Sequence, residues 1–235
     1  MSRSVKNAFR SHTMSQDKLI RSAHGLDVAL DCISHFESLQ DKGGYDIGKE
    51  FPYELYKKGV QQMLLNIWMA NAPSIQALDG LNRNYSAGYA GREFARSLRV
   101  RCPENAIVLR VYVKNRNASP KAVLLHILGS LIWSLIALVP REFTSSDGLH
   151  HRKFETLMSR GHGSIEAGLE ILESLPPLEL GGRKLLCIVD GLDLAEERNT
   201  LERLQRLLAI LGDVIWKNRA HLIYTLSRKS QVIRY

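Results

Sequence analysis

The chain has 235 residues, 45% of them hydrophobic and 24% charged, which is the ordinary composition of a soluble globular protein and long enough to bury a real core. A formal net charge of +8 favours contact with something acidic, whether a nucleotide, a nucleic acid or an anionic surface. Cys32, Cys102 and Cys187 lack metal-ligand spacing, and Met1 to His12 is basic and polar without the apolar run of a secretory signal, so the expected compartment is reducing and intracellular, cytoplasmic or nuclear.

In chain order, residues 1–17 read as a flexible tail. Residues 18–72 read as a helical extension. Within it, Ile20, Leu26, Leu30, Ile33, Phe36 and Leu39 recur at helical spacing, Asp41-Lys42-Gly43-Gly44 breaks the pattern, and a second helix is predicted over Tyr53 to Met69. These helices carry no legible chemistry, and their expected role is to pack beside a sheet or onto a protein partner.

From residue 73 to 235 strands and helices alternate, which predicts βαβ units and a mainly parallel sheet. Strands are expected at Ser74 to Leu78, Asn105 to Val113 and His221 to Leu226, with helices at Arg92 to Val100, Ile165 to Leu175 and Glu196 to Ile215. Ser119-Pro120 supplies a helix cap and first turn. The helix it opens runs to Val139, before Pro140. Its stretch 122–139 is uncharged and nearly long enough to cross a hydrocarbon core, but His126, Ser130 and Ser134 recur every four residues opposite a leucine stripe, so a covered core helix is favoured over a membrane segment. Thr144 to Gly163 is polar and predicted irregular; its His150, His151 and His162 lack zinc-site spacing.

The most informative stretch is Lys184-Leu185-Leu186-Cys187-Ile188-Val189-Asp190-Gly191-Leu192-Asp193. An aliphatic run following the Gly181-Gly182 turn reads as a strand buried on both faces, and its acids sit at the carboxyl end, where open α/β sheets bind ligands and a carboxylate can hold Mg²⁺ directly or through water. The competing explanation is that Asp190 and Asp193 only cap the next helix.

The order of these segments, with Asp190-Gly191-Leu192-Asp193 as a Walker B signature and Thr225-Leu226-Ser227-Arg228 as a sensor strand ending in arginine, resembles the NACHT-type STAND P-loop ATPases, especially the fungal ones, over about residues 74–230. The resemblance implies a three-layer α/β, P-loop NTPase-like parallel sheet, with the N-terminal helices as an extension. It also implies ATP or ADP with Mg²⁺ as ligand. By it, Asp190 helps hold the metal, Asp193 orders the metal or the attacking water, and Arg228 senses the γ-phosphate.

The sequence departs from that family at the phosphate loop. A working loop reads G-x-x-x-x-G-K-[ST], in which backbone N–H groups cradle phosphates, Lys reaches the β and γ oxygens, and the hydroxyl binds Mg²⁺. The nearest counterpart is Ser86-Ala87-Gly88-Tyr89-Ala90-Gly91-Arg92-Glu93. Gly88, Gly91 and Arg92 remain as candidate nucleotide-binding residues, since arginine pairs with phosphate and a helix N-terminus offers N–H donors. Glu93 sets a negative charge where the phosphate-bound metal belongs, and a like-charge contact at ~4 Å and an effective dielectric near 20 costs about 4 kcal/mol. Leu194 stands where the family carries an acid, and Glu196 and Glu197 follow too late to replace it. The chain ends soon after Arg228, so a fragment or trimmed version, without the family's winged-helix lid, is expected.

Two function classes follow. One is an adenine-nucleotide-binding module with weak or no hydrolysis. The other is a pseudo-ATPase scaffold whose N-terminal helices and basic surface engage a protein or a nucleic acid; Arg96, Arg99, Arg101, Arg110, Lys114 and Arg116 suit phosphate backbones, although no stacking series or DNA-binding motif accompanies them.

Overall fold

The computed structural model of the chain describes residues 12–30, 53–79, 94–98, 102, 104–113, 117–145 and 147–226. In chain order these form β1 (His12–Ser15), α1 (Gln16–Leu30), α2 (Tyr53–Met69), β2 (Ser74–Asp79), a short helical segment at 94–98, β3 (Ala106–Tyr112) and α3 (Pro120–Ile136). They continue with β4 (Glu142–Ser145), a 3₁₀ turn (Asp147–Leu149), α4 (His151–Ser159), α5 (Ser164–Glu173), β5 (Lys184–Asp190), a second 3₁₀ turn (Leu192–Ala195), α6 (Leu201–Lys217) and β6 (His221–Leu226).

β2, β6, β5 and β3 form one sheet in that order, every pair parallel. Alternation along the strands divides their side chains between two cores. Leu185, Cys187, Val189, Leu222 and Tyr224 belong to one core with residues of α1, α3, α4, α5 and α6. Leu186, Ile188, Ile223 and Leu78 face Leu64, Ile67 and Trp68 of α2 and Phe94, Ala95 and Leu98 of the segment at 94–98. The result is the expected three-layer α/β architecture: helices on both faces of a parallel sheet, the arrangement that strands without a polar face require.

The boundaries of β2, β3, β5, β6, α2 and α5 fall within two residues of those predicted. α3 begins as its sequence indicates, with the Ser119 hydroxyl accepting from the Ala122 amide at 3.3 Å and Pro120 in the first turn. The helix is apolar because neighbours cover it. Ten of its seventeen residues are buried, and among the described residues no helix is long and apolar enough to cross a membrane. Its polar stripe is covered as well: Ser130 is 3% exposed, and a ring nitrogen of His126 lies 3.0 Å from the Tyr112 carbonyl.

Three local predictions are corrected. Within the stretch read as a tail, His12–Ser15 pairs antiparallel with β4, and Met14 is buried. Within 144–163, read as irregular, α4 forms because Phe154 and Leu157 stand one turn apart and bury against α5, with Met158 partly buried beside them and the remaining residues polar. α6 starts at Leu201 rather than Glu196, because the Thr200 hydroxyl donates to the Ala195 carbonyl at 2.5 Å and accepts from the Glu197 amide at 3.1 Å, closing a separate turn first. The expected helix beyond Leu30 and the loop at 41–52 lie outside the described residues.

Candidate functional site at the carboxyl edge of the sheet

β5 is the strand through which the site is built. Six of its seven residues are buried, and the last, Asp190, is 2% exposed. Asp190 shares the face of Leu186 and Ile188, so its carboxylate is directed to the layer of α2 and the 94–98 helix, not to that of α3 and α6. At this level one row runs across the sheet: Leu78 on β2, Thr225 on β6, Asp190 on β5 and Tyr112 on β3. Thr225, 1% exposed, donates its hydroxyl proton to Oδ1 of Asp190.

The chain then turns at once. Gly191 adopts φ 80°, ψ 31°, and its amide donates to the Thr225 carbonyl at 3.2 Å. A Cβ there would come within 3.3 Å of the Val113 Cβ, so both the dihedral and the close approach call for glycine. Leu192 enters the core and opens the 3₁₀ turn, in which Asp193, fully buried, is the second residue. Neither acid caps the following α-helix, whose N-cap is Thr200. The capping explanation therefore does not account for them. Two buried carboxyl-bearing residues thus stand on one strand-to-turn junction at the carboxyl edge of a parallel sheet, the edge at which open α/β sheets bind ligands.

Of the sequence-predicted site residues, Asp190 and Asp193 lie within the described residues, one at the end of β5 and the other in the turn that follows, both buried. Gly88, Gly91, Arg92 and Arg228 lie outside the described residues. The described helical segment at 94–98 packs on the face toward which Asp190 points, through Phe94, Ala95 and Leu98. Sequence reasoning missed the hydroxyl of Thr225. Its signal was present: a lone threonine in a buried strand, two residues after Ile223 and so on the same face as Asp190.

Among the described residues no group of three or more His, Cys, Asp and Glu could hold a metal by itself. A single buried carboxylate suits Mg²⁺ in the mode where phosphates and water complete the shell, so the donor set fits a metal brought in with a nucleotide. Burial pushes the Cys187 thiol up to about 12, which keeps it protonated and removes it as a nucleophile. His150 caps α4, its Nδ1 accepting from the Arg152 amide at 3.3 Å, and His151 lies against Ser22 and Glu155. A cavity of about 500 Å³ lies in the other helical layer, between Lys121, His162, Ser164, Glu197 and Arg203, and holds none of the predicted site residues.

No protein-family model and no curated protein matches the chain. Two solved structures are weakly similar to it, one of Drosophila ORC bound to poly(dA/dT) DNA and Cdc6 and the other of Drosophila ORC bound to GC-rich DNA and Cdc6. Their TM-scores are 0.38 and 0.37, each at 12% identity over 97% of this chain and 31% of the matched chain. The chain spans about a third of the length of the chains it matches.

Proposed function

We propose that the chain is a degenerate adenine-nucleotide-binding module of the NACHT-like STAND type that takes ATP or ADP with Mg²⁺ and hydrolyses it weakly or not at all. The supporting observation is the buried Asp190, set on the central β5 beside Thr225 and directed to the face on which the helical segment at 94–98 packs. In this reading Asp190 holds Mg²⁺, Asp193 orders the metal or the water, and Arg228 meets the γ-phosphate. Gly88, Gly91 and Arg92 receive the remaining phosphate oxygens. Glu93 and Leu194 are the residues that weaken turnover, the first by opposing phosphate charge and the second by leaving the acid position empty.

The test is isothermal titration of the chain with ATP and with ADP, each with and without Mg²⁺, repeated on Asp190→Ala and Arg92→Ala. Binding in the parent that weakens in both variants is expected. No heat at millimolar nucleotide, from protein shown to be folded by circular dichroism, overturns the proposal.

A second reading has its own support. α2 leaves Met63, Leu65 and Met69 exposed at 38%, 42% and 68%, a surface suited to a protein partner of a scaffold that uses no nucleotide. The net charge of +8 extends the same reading to nucleic acid. Failure of the titration leaves this reading to be pursued.

A further inference from the structure

β6 is buried throughout, and apart from the Tyr224 hydroxyl its polar side chains are those of His221 and Thr225. Valine would serve the strand as well as threonine at position 225, because both are β-branched and of nearly the same shape. What threonine adds is a hydroxyl, and that hydroxyl donates to Oδ1 of Asp190. The backbone of the same residue holds the next step of the turn, its carbonyl accepting from the Gly191 amide at 3.2 Å. Thr225 thus grips the first acid by its side chain and, through Gly191, the turn that carries the second.

A carboxylate has two oxygens and rotates readily about its last torsion. A donor fixed on a neighbouring strand stops that rotation. It engages one oxygen and sets the direction in which the other lies. In metal sites such an outer partner changes affinity about 10- to 100-fold without touching the ion.

We propose that Thr225 is a positioning residue for the metal half of the site: its hydroxyl orients Asp190 toward nucleotide-bound Mg²⁺, and its carbonyl holds the Gly191 turn that presents Asp193. The inference rests on the nucleotide reading above. It concerns the Mg²⁺-dependent part of the affinity and not the grip on the nucleotide itself.

The experiment is titration of the full chain with ADP, with and without Mg²⁺, for the parent, Thr225→Val, Thr225→Ser, Asp190→Ala and the double variant Asp190→Ala/Thr225→Val. In Thr225→Val the gain in affinity conferred by Mg²⁺ is expected to fall about 10- to 100-fold while Mg²⁺-free affinity stays within about twofold, and Thr225→Ser restores the gain. In the Asp190→Ala background Thr225→Val has no further effect on the Mg²⁺ gain. Should Thr225→Val not fold, Thr225→Cys, a near-isostere with a weak donor, is read by the same criteria. The inference is overturned if the variant keeps the parent's Mg²⁺ gain, or if its Mg²⁺-free affinity falls in step, as a merely structural residue would cause. A parent that binds no ADP in either condition overturns the nucleotide reading, and this inference with it. A parent that binds, beside a variant that behaves alike, overturns this inference alone.

Discussion

Gly191 links the two acids, and its φ of 80° is one that a side chain resists by about 1–2 kcal/mol in the left-handed region. Gly191→Ala meets the Val113 Cβ as well, so a loss of at least about 1–2 kcal/mol is expected in urea unfolding, with Asp193 displaced from its turn. A parent-like midpoint would show that the turn relaxes without cost. The chemistry at this junction was only half legible in the sequence. Asp190 stood out because it ends an apolar run, and Gly191 because glycine follows it. The Thr225 contact was hidden, since the two residues are 35 positions apart and meet only through β5–β6 register.

At the scale of elements, α3 is the apolar centre of the layer behind the sheet. Leu128 is fully buried, and its side chain reaches within 3.2 Å of where a Cβ on Gly168 of α5 would lie. Leu128→Ala is expected to cost about 2–5 kcal/mol by chemical denaturation, because helices this closely apposed cannot collapse into the vacated space. A cost below about 1 kcal/mol would mean that the two helices can close on the gap. On the other layer, the end of α2 is tied to the starts of the strands: Lys184 Nζ donates to the Trp68 and Ala70 carbonyls at 3.2 and 3.3 Å, and Nδ1 of His221 lies 2.9 Å from the Ser74 hydroxyl. Burial, then the Lys184 charge, lowers the His221 pKa below its ordinary 6.5, against a hydrogen bond to the Ala70 backbone that raises it. The sign follows. Folded and unfolded chains both hold His221 neutral well above pH 6.5; below that value the unfolded chain takes the proton first, so stability declines as pH falls from 6.5 toward the lower folded value. Melting temperatures measured from about pH 8 to about pH 5 are expected to fall on the acid side, and His221→Gln to reduce that slope; an unchanged slope would assign the acid sensitivity to other groups.

At the scale of the whole molecule, a ligand that binds only the folded chain must raise its stability by mass action, about 2.7 kcal/mol at 100 times its Kd. Thermal unfolding with Mg²⁺ and ADP is therefore expected to shift upward with ligand concentration, and Asp190→Ala to remove the part of the shift that needs Mg²⁺. A melting temperature indifferent to nucleotide would favour the scaffold reading.

The sequence by itself determined the alternation of strands and helices, the all-apolar β5 with acids at its end, and the capped, uncharged α3, because these rest on local propensity and on patterns a few residues long. Only the tertiary structure decided what depends on distant partners. β1 and β4 are four residues each and become strands by pairing across more than a hundred positions; α4 is mostly polar and is held by two buried side chains; α3 reads as a membrane or a core segment until its neighbours are seen to cover it. The strand order β2-β6-β5-β3 belongs to the same class, and it is that order, not any single motif, that puts Thr225 beside Asp190.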